Sequence, residues 1–141
     1  MERVEPNTVA SEHLSVGRLL RAGLLAAVFS AVANALVLVM ASALFGTIAV
    51  PPDEPLTFGP VVLASGGGAI AAAIVFAIVG QLVRRSTRTF LILAGAVLLI
   101  SFLPIYLVGV TGPSAWTLVL MHVVAAAIVI GLLIGRPKEI T

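Results

Sequence analysis

A chain of 141 residues that is 60% hydrophobic and only 10% charged lacks the polar surface of a water-soluble domain, where about a quarter of residues are charged. Its mean hydropathy of +1.20 puts it in the membrane class, and at roughly 20 residues per crossing helix, four helices consume nearly all of it. The absence of cysteine excludes disulfides, thiolate metal sites and thiol redox chemistry, while the net charge of +2 reads as topological anchoring beside anionic lipid, not nucleic-acid binding.

Residues 1–16 are polar and mixed in charge, and read as a tail or interfacial turn. The first span covers about 17–46, with Arg18 and Arg21 near its start. Its apolar stretch from Ala22 to Met40 exceeds the core of a signal peptide, about 7–15 residues, so a retained helix is expected. Pro51, Pro52, Asp53, Glu54 and Pro55 then predict an extended polar loop. The second span covers about 58–83 and contains Ser65-Gly66-Gly67-Gly68. No lysine follows these glycines and no strand precedes them, as a phosphate-cradling loop requires, so they read as a tight helix crossing or a kink.

Arg84-Arg85-Ser86-Thr87-Arg88 interrupts the apolar sequence, and three cations cannot rest in hydrocarbon, so a polar hinge is expected here. The third span covers about 89–110, bent by Pro104, which denies the carbonyl of Ile100 its usual donor. The fourth covers about 114–135 and ends against Arg136-Pro137-Lys138, leaving 139–141 as a tail. Residues 17–138 thus form one all-α domain, a four-helix transmembrane bundle of up-down-up-down topology.

All eight cations fall on one side of these spans, and Asp53 and Glu54 are the only charges on the other. The positive-inside rule then puts both termini and the hinge in the cytoplasm, anchored in the plasma membrane by Arg18, Arg21, Arg84, Arg85, Arg88, Arg136 and Lys138. Tyr106, Trp116 and Phe58 lie near the opposite interface.

Lipid supplies no hydrophobic force between helices, so small residues that let backbones approach decide the packing. The first span offers Gly23, Ala27, Ser30, Asn34, Val37 and Ala41 at alternating steps of four and three, with Ala31 beside them. Gly66, Gly67 and Gly68 in the second span and Gly131 in the fourth are further candidate packing positions, alongside the stripes Ser65, Ala69, Ala73, Ala77 and Ala127, Gly131, Gly135.

Three polar residues fall at one depth. Asn34 lies thirteen residues past Arg21, Ser101 thirteen past Arg88, and His122 fourteen before Arg136. At 1.5 Å per residue each is about 20 Å from the cationic boundary, near mid-membrane, where Ala71 and Ala72 of the second span leave room. The layer is read either as a hydrogen-bond network that sets helix register or as a site for a small polar headgroup, quinone carbonyl or pigment, with neutral His122 as donor or ligand. No span interior holds an Asp, Glu, Lys or Arg, which argues against a proton-coupled exporter, and a single intramembrane histidine argues against a bis-histidine haem site.

Arg21-Ala22-Gly23 with Asn34, Ser101-Phe102-Leu103-Pro104, and Met121-His122 resemble an uncharacterised family of small four-span bacterial membrane proteins, over roughly residues 18 to 135. That resemblance implies the four-span fold and brings no activity, substrate or cofactor. The expected function is therefore a non-enzymatic membrane subunit packing against other membrane chains or itself. The alternative is a binder of a small lipophilic molecule (quinone, pigment or lipid) at the Asn34/Ser101/His122 layer. An enzyme is the weakest reading, since one histidine without a carboxylate or metal partner is a poor catalytic set.

Overall fold

The computed structural model describes residues 16–83 and 85–135. Arg84, Arg136, Lys138, residues 1–15 of the expected 1–16 tail and the tail 139–141 lie outside the described residues, and Val16 opens a helix. Helix α1 spans Val16–Phe45, α2 Phe58–Leu82, α3 Ser86–Ser101, α4 Leu103–Leu107 and α5 Gly112–Ile134; a small hairpin of β1 (Ala49–Val50) and β2 (Glu54–Pro55) joins α1 to α2. Taking α3 and α4 together, four helices are long and apolar enough to cross a membrane. Their outward faces are greasy: Leu24, Leu36, Leu63, Leu99 and Leu107 are all more than half exposed, a surface that only hydrocarbon solvates well.

Each boundary has a local cause. At the end of α1, Gly46 adopts φ 82°, and its N–H reaches the Ser42 carbonyl at 3.0 Å, a left-handed stop that glycine takes without steric penalty. The proline-rich stretch was expected to be an extended loop. Instead it folds back, with Ala49 paired to Pro55 and Val50 to Glu54, and the Leu56 N–H donates to the Ile48 carbonyl. Ile48 is 2% exposed, so this apolar residue pins the hairpin to the bundle.

Helix α2 runs uninterrupted through Gly66-Gly67-Gly68, so the glycines do not kink it out of helical form. On the far side of the hinge, α3 begins at Ser86, three residues earlier than the sequence implied. Ser86, Thr87 and Arg88 are drawn into its first turn, and the Thr89 N–H already finds the Arg85 carbonyl at 3.1 Å. The third span breaks at Phe102. Pro104 occupies the first turn of the new helix α4, where a missing N–H costs nothing. The span also ends at Leu107 rather than near residue 110. Gly109 at φ 76° closes it in a Schellman motif, with Gly109 N–H to the Tyr106 carbonyl and Val110 N–H to the Ile105 carbonyl, both 3.1 Å. Ile105 and Val110, the apolar pair such a motif brings together, are both buried.

Helix α1 is the hub, packing mainly on α2 and α5, while the third span is peripheral: 11% of its most apolar window is buried against 28% for α1. Two apolar clusters result. The first joins Ala26, Ala27, Ala69, Ala73, Val129 and Leu133 with Phe76 and Phe90, whose rings meet edge to face at 4.8 Å. The second, at the hairpin end, joins Leu38, Ala41, Ile48, Val61 and Met121. On α1, Ser30 and Asn34 stand between the two clusters, and both are buried.

Small residues set the α1–α2 distance. Gly23 is the tightest point, since a Cβ built there would sit 2.8 Å from the Ala73 Cβ. A Cβ built on Gly66 would lie 3.9 Å from the Ala27 carbonyl oxygen, whereas one built on the exposed Gly67, Gly68 or Gly131 would meet nothing within 4 Å. Ala31 is half-buried, beside the fully buried Ser30. Gly23→Ala should therefore force α1 and α2 apart and lower stability by about 1–3 kcal/mol. Gly68→Ala should not, and unfolding of the purified protein in detergent compares them. Equal losses at both positions would refute the close contact.

Candidate functional site

The polar centre of the bundle is a hydrogen bond between α1 and α2. Asn34 Nδ2 donates to Ser65 Oγ at 2.8 Å, with both residues buried. The depth count had put Ala71 and Ala72 opposite Asn34; Ser65 is nearly two turns nearer the start of α2. The discrepancy lies in the ruler. Because α1 begins at Val16, Arg21 sits more than a turn inside the helix and does not mark its end. Ala72 instead packs against the first apolar cluster.

Asn34 Oδ1 and Ser30 Oγ are buried without a hydrogen-bond partner. An unpaired polar atom in an apolar interior costs about 1–3 kcal/mol; Asn34 Oδ1 lacks a donor, and the Ser30 hydroxyl lacks any partner. Asn34 also lies on the wall of a half-open cleft of about 240 Å³. Pro60, Val61, Ala64 and Ser65 of α2 form one side and Leu118, Met121, His122 and Ala125 of α5 the other, with Leu56 at the hairpin end. The lining is mostly apolar, with Asn34, Ser65 and His122 as its hydrogen-bonding side chains.

His122 is held in one orientation. Its Nδ1 lies 2.7 Å from the Leu118 carbonyl, one turn back along α5. A carbonyl only accepts, so Nδ1 carries the proton, and in the neutral ring Nε2 is left as an acceptor. Phe102, at the break between α3 and α4, packs edge to face on the imidazole with centroids 6.1 Å apart.

Asn34 and His122 therefore share one cleft, while Ser101 does not join them. Its hydroxyl donates to the Leu98 carbonyl at 2.6 Å, closing the last turn of α3. Helix rotation makes the difference: equal depth brings the α3 end beside His122, but the side that meets the ring is Phe102. Ser65 is the polar partner that depth counting missed. Its signal was its place in the small-residue stripe of α2, every fourth position with Ala69 and Ala73.

The described anchors Arg18, Arg21, Arg85 and Arg88 are exposed and lie at the start of α1 or around the start of α3. The hairpin lies at the opposite ends of the helices, where Phe58, Tyr106 and Trp116 are also exposed. Ser114 Oγ, in the first turn of α5, accepts from the Ala49 N–H at 3.2 Å and ties the hairpin to that helix. Among the described residues no group of three His, Cys, Asp or Glu side chains is placed to hold a metal ion.

A family profile described as a family of unknown function matches residues 14–139. The chain belongs to that family, DUF6069. No curated protein and no solved structure matches it. Within this DUF6069 chain, the Asn34–Ser65 contact should register as an energetic coupling. A double-mutant cycle of Asn34→Ala and Ser65→Ala should return about 0.6–2 kcal/mol. A cycle pairing Asn34→Ala with Ser101→Ala should return none, and coupling of similar size in both would contradict the hydrogen-bond geometry.

Proposed function

We propose that this four-span membrane protein binds a small amphipathic, lipophilic molecule in the cleft between α2 and α5, its polar end against Asn34, Ser65 and His122. The observation that carries this reading is the buried, unpartnered Oδ1 of Asn34, a residue on the wall of a cleft of about 240 Å³. A side chain serving only to set register would be expected to have its oxygen satisfied within the bundle. The mostly apolar lining with a few convergent polar groups has the character of a small-molecule site. Exposed Pro60 and Ala64 on the rim give an apolar tail a way out to lipid.

Placed in the plasma membrane by the positive-inside rule, the chain has both termini in the cytoplasm and the β1–β2 hairpin outside. Reporter fusions after Glu54 should then read as non-cytoplasmic and fusions after Arg85 as cytoplasmic. A cytoplasmic signal at Glu54 would overturn this orientation.

A second reading, a subunit packing against other membrane chains or a copy of itself, is favoured by the exposed Ala127 and Gly131 on α5, with Gly135 just past its end, and by the thinly packed third span. Native mass spectrometry of gently solubilised protein separates the two. Binding predicts an added small-molecule mass that His122→Ala releases with little loss of folded protein. A stoichiometric second chain, with no small mass in either variant, would favour the subunit.

A further inference from the structure

We propose that the β1–β2 hairpin is a strap across the mouth of the cleft, which shuts the hairpin end when seated and opens it to water when lifted. The proposal goes beyond the binding reading, because it rests on the walls of the cleft and not on what fills it.

The strap is fastened to both walls. Leu56, which follows β2, lines the cleft and leads directly into α2, the first wall. On the other side β1 is tied to α5, the second wall, where the Ala49 N–H donates to Ser114 Oγ at 3.2 Å. Ser114 precedes Leu118, itself a lining residue, by one turn of α5. Ile48 is the plug between these attachments. It is 2% exposed and clusters with Val61 of α2 and Met121 of α5, with Leu56 and Leu118 packed against the cluster. Those four neighbours also line the cleft. The surface that seats the hairpin is therefore continuous with the wall of the cleft.

So small an element opens as a unit. Each strand is two residues long, and the pairs Ala49–Pro55 and Val50–Glu54 complete the ladder. A hairpin this short is marginal in water unless it packs on something. Residues 51–55 are exposed, so Ile48 and the Ala49–Ser114 hydrogen bond are what hold it down. A segment with so few buried contacts opens at lower free energy than the helices beneath it. Lifting it withdraws Ile48 from Val61 and Met121 and uncovers Leu118.

The test exploits a sequence without cysteine. A single cysteine is placed at Leu118, under the strap, or at Leu120, which is 50% exposed and two residues further along α5. The full chain in lipid nanodiscs is then treated with a charged, water-soluble thiosulfonate. Leu118→Cys should be modified slowly while the strap is seated. Adding Ser114→Ala removes the tie and should raise that rate about fivefold, whereas Ser114→Thr, which keeps the hydroxyl, should not. Ile48→Ala should raise it further. Leu120→Cys, facing lipid, should stay slow in every background, which separates a lifted strap from a loosened bundle. Equal acceleration at Leu118→Cys and Leu120→Cys would overturn the proposal, and so would a Leu118→Cys rate indifferent to both Ser114→Ala and Ile48→Ala. Modification of Leu118→Cys as fast as that of the exposed hairpin variant Glu54→Cys would mean a mouth that is never shut, and would overturn it too. Each of these failures would leave the binding reading standing, since none measures an occupant.

Discussion

Hydrocarbon offers no hydrophobic reward for helix association, so this bundle depends on how closely α1 can approach α2 and α5. Gly23 against Ala73 sets the distance at one end of the interface. With backbones that close, the alanines of the first cluster fill the space without large side chains, and dispersion over many short contacts replaces a bulky core. The third span has only Phe90 and Ile105 as fully buried anchors in its helices, and accordingly lies at the edge of the bundle.

The same close approach makes the polar centre possible. A short side chain such as Ser65 reaches Asn34 only because small residues along the interface bring the two helices together. Toward the hairpin, Val61 and Met121 belong to the second cluster and, with Leu118, also line the cleft. Asn34 stands between the two clusters, with Nδ2 paired to Ser65 and Oδ1 buried without a partner.

The break in the third span belongs to the same region. A continuous helix would bury its polar backbone groups in its own ladder. Ending α3 at Ser101 and restarting at Leu103 leaves the Ser101 hydroxyl to close the turn and sets Phe102 against His122. In lipid such a break is tolerated where protein covers it, and here the α5 imidazole lies alongside. The Leu118 carbonyl and the Phe102 ring together restrict the imidazole to one orientation, with its proton on the side away from the open nitrogen.

Residue order alone determined the number of spans, their approximate limits, the grouping of the cations and the small-residue seam of α1. Each of these depends on local quantities: hydropathy over a window, charge along the chain, and a repeat of three and four residues. The family relationship, carried by short motifs spread over most of the chain, was legible in the same way. The polar centre was only half legible, because depth along a helix is a sequence property and rotation about its axis is not. Asn34 and His122 were placed in one layer by counting, but Ser101 turned into its own helix and Ser65 took the partner's role. The hairpin over residues 49–55 was also hidden, since prolines and charges read as loop and only the burial of Ile48 against the bundle folds them back. Tertiary structure decided what depends on two helices at once: which faces meet, how far apart they stand, and therefore which polar atom of Asn34 is left without a partner.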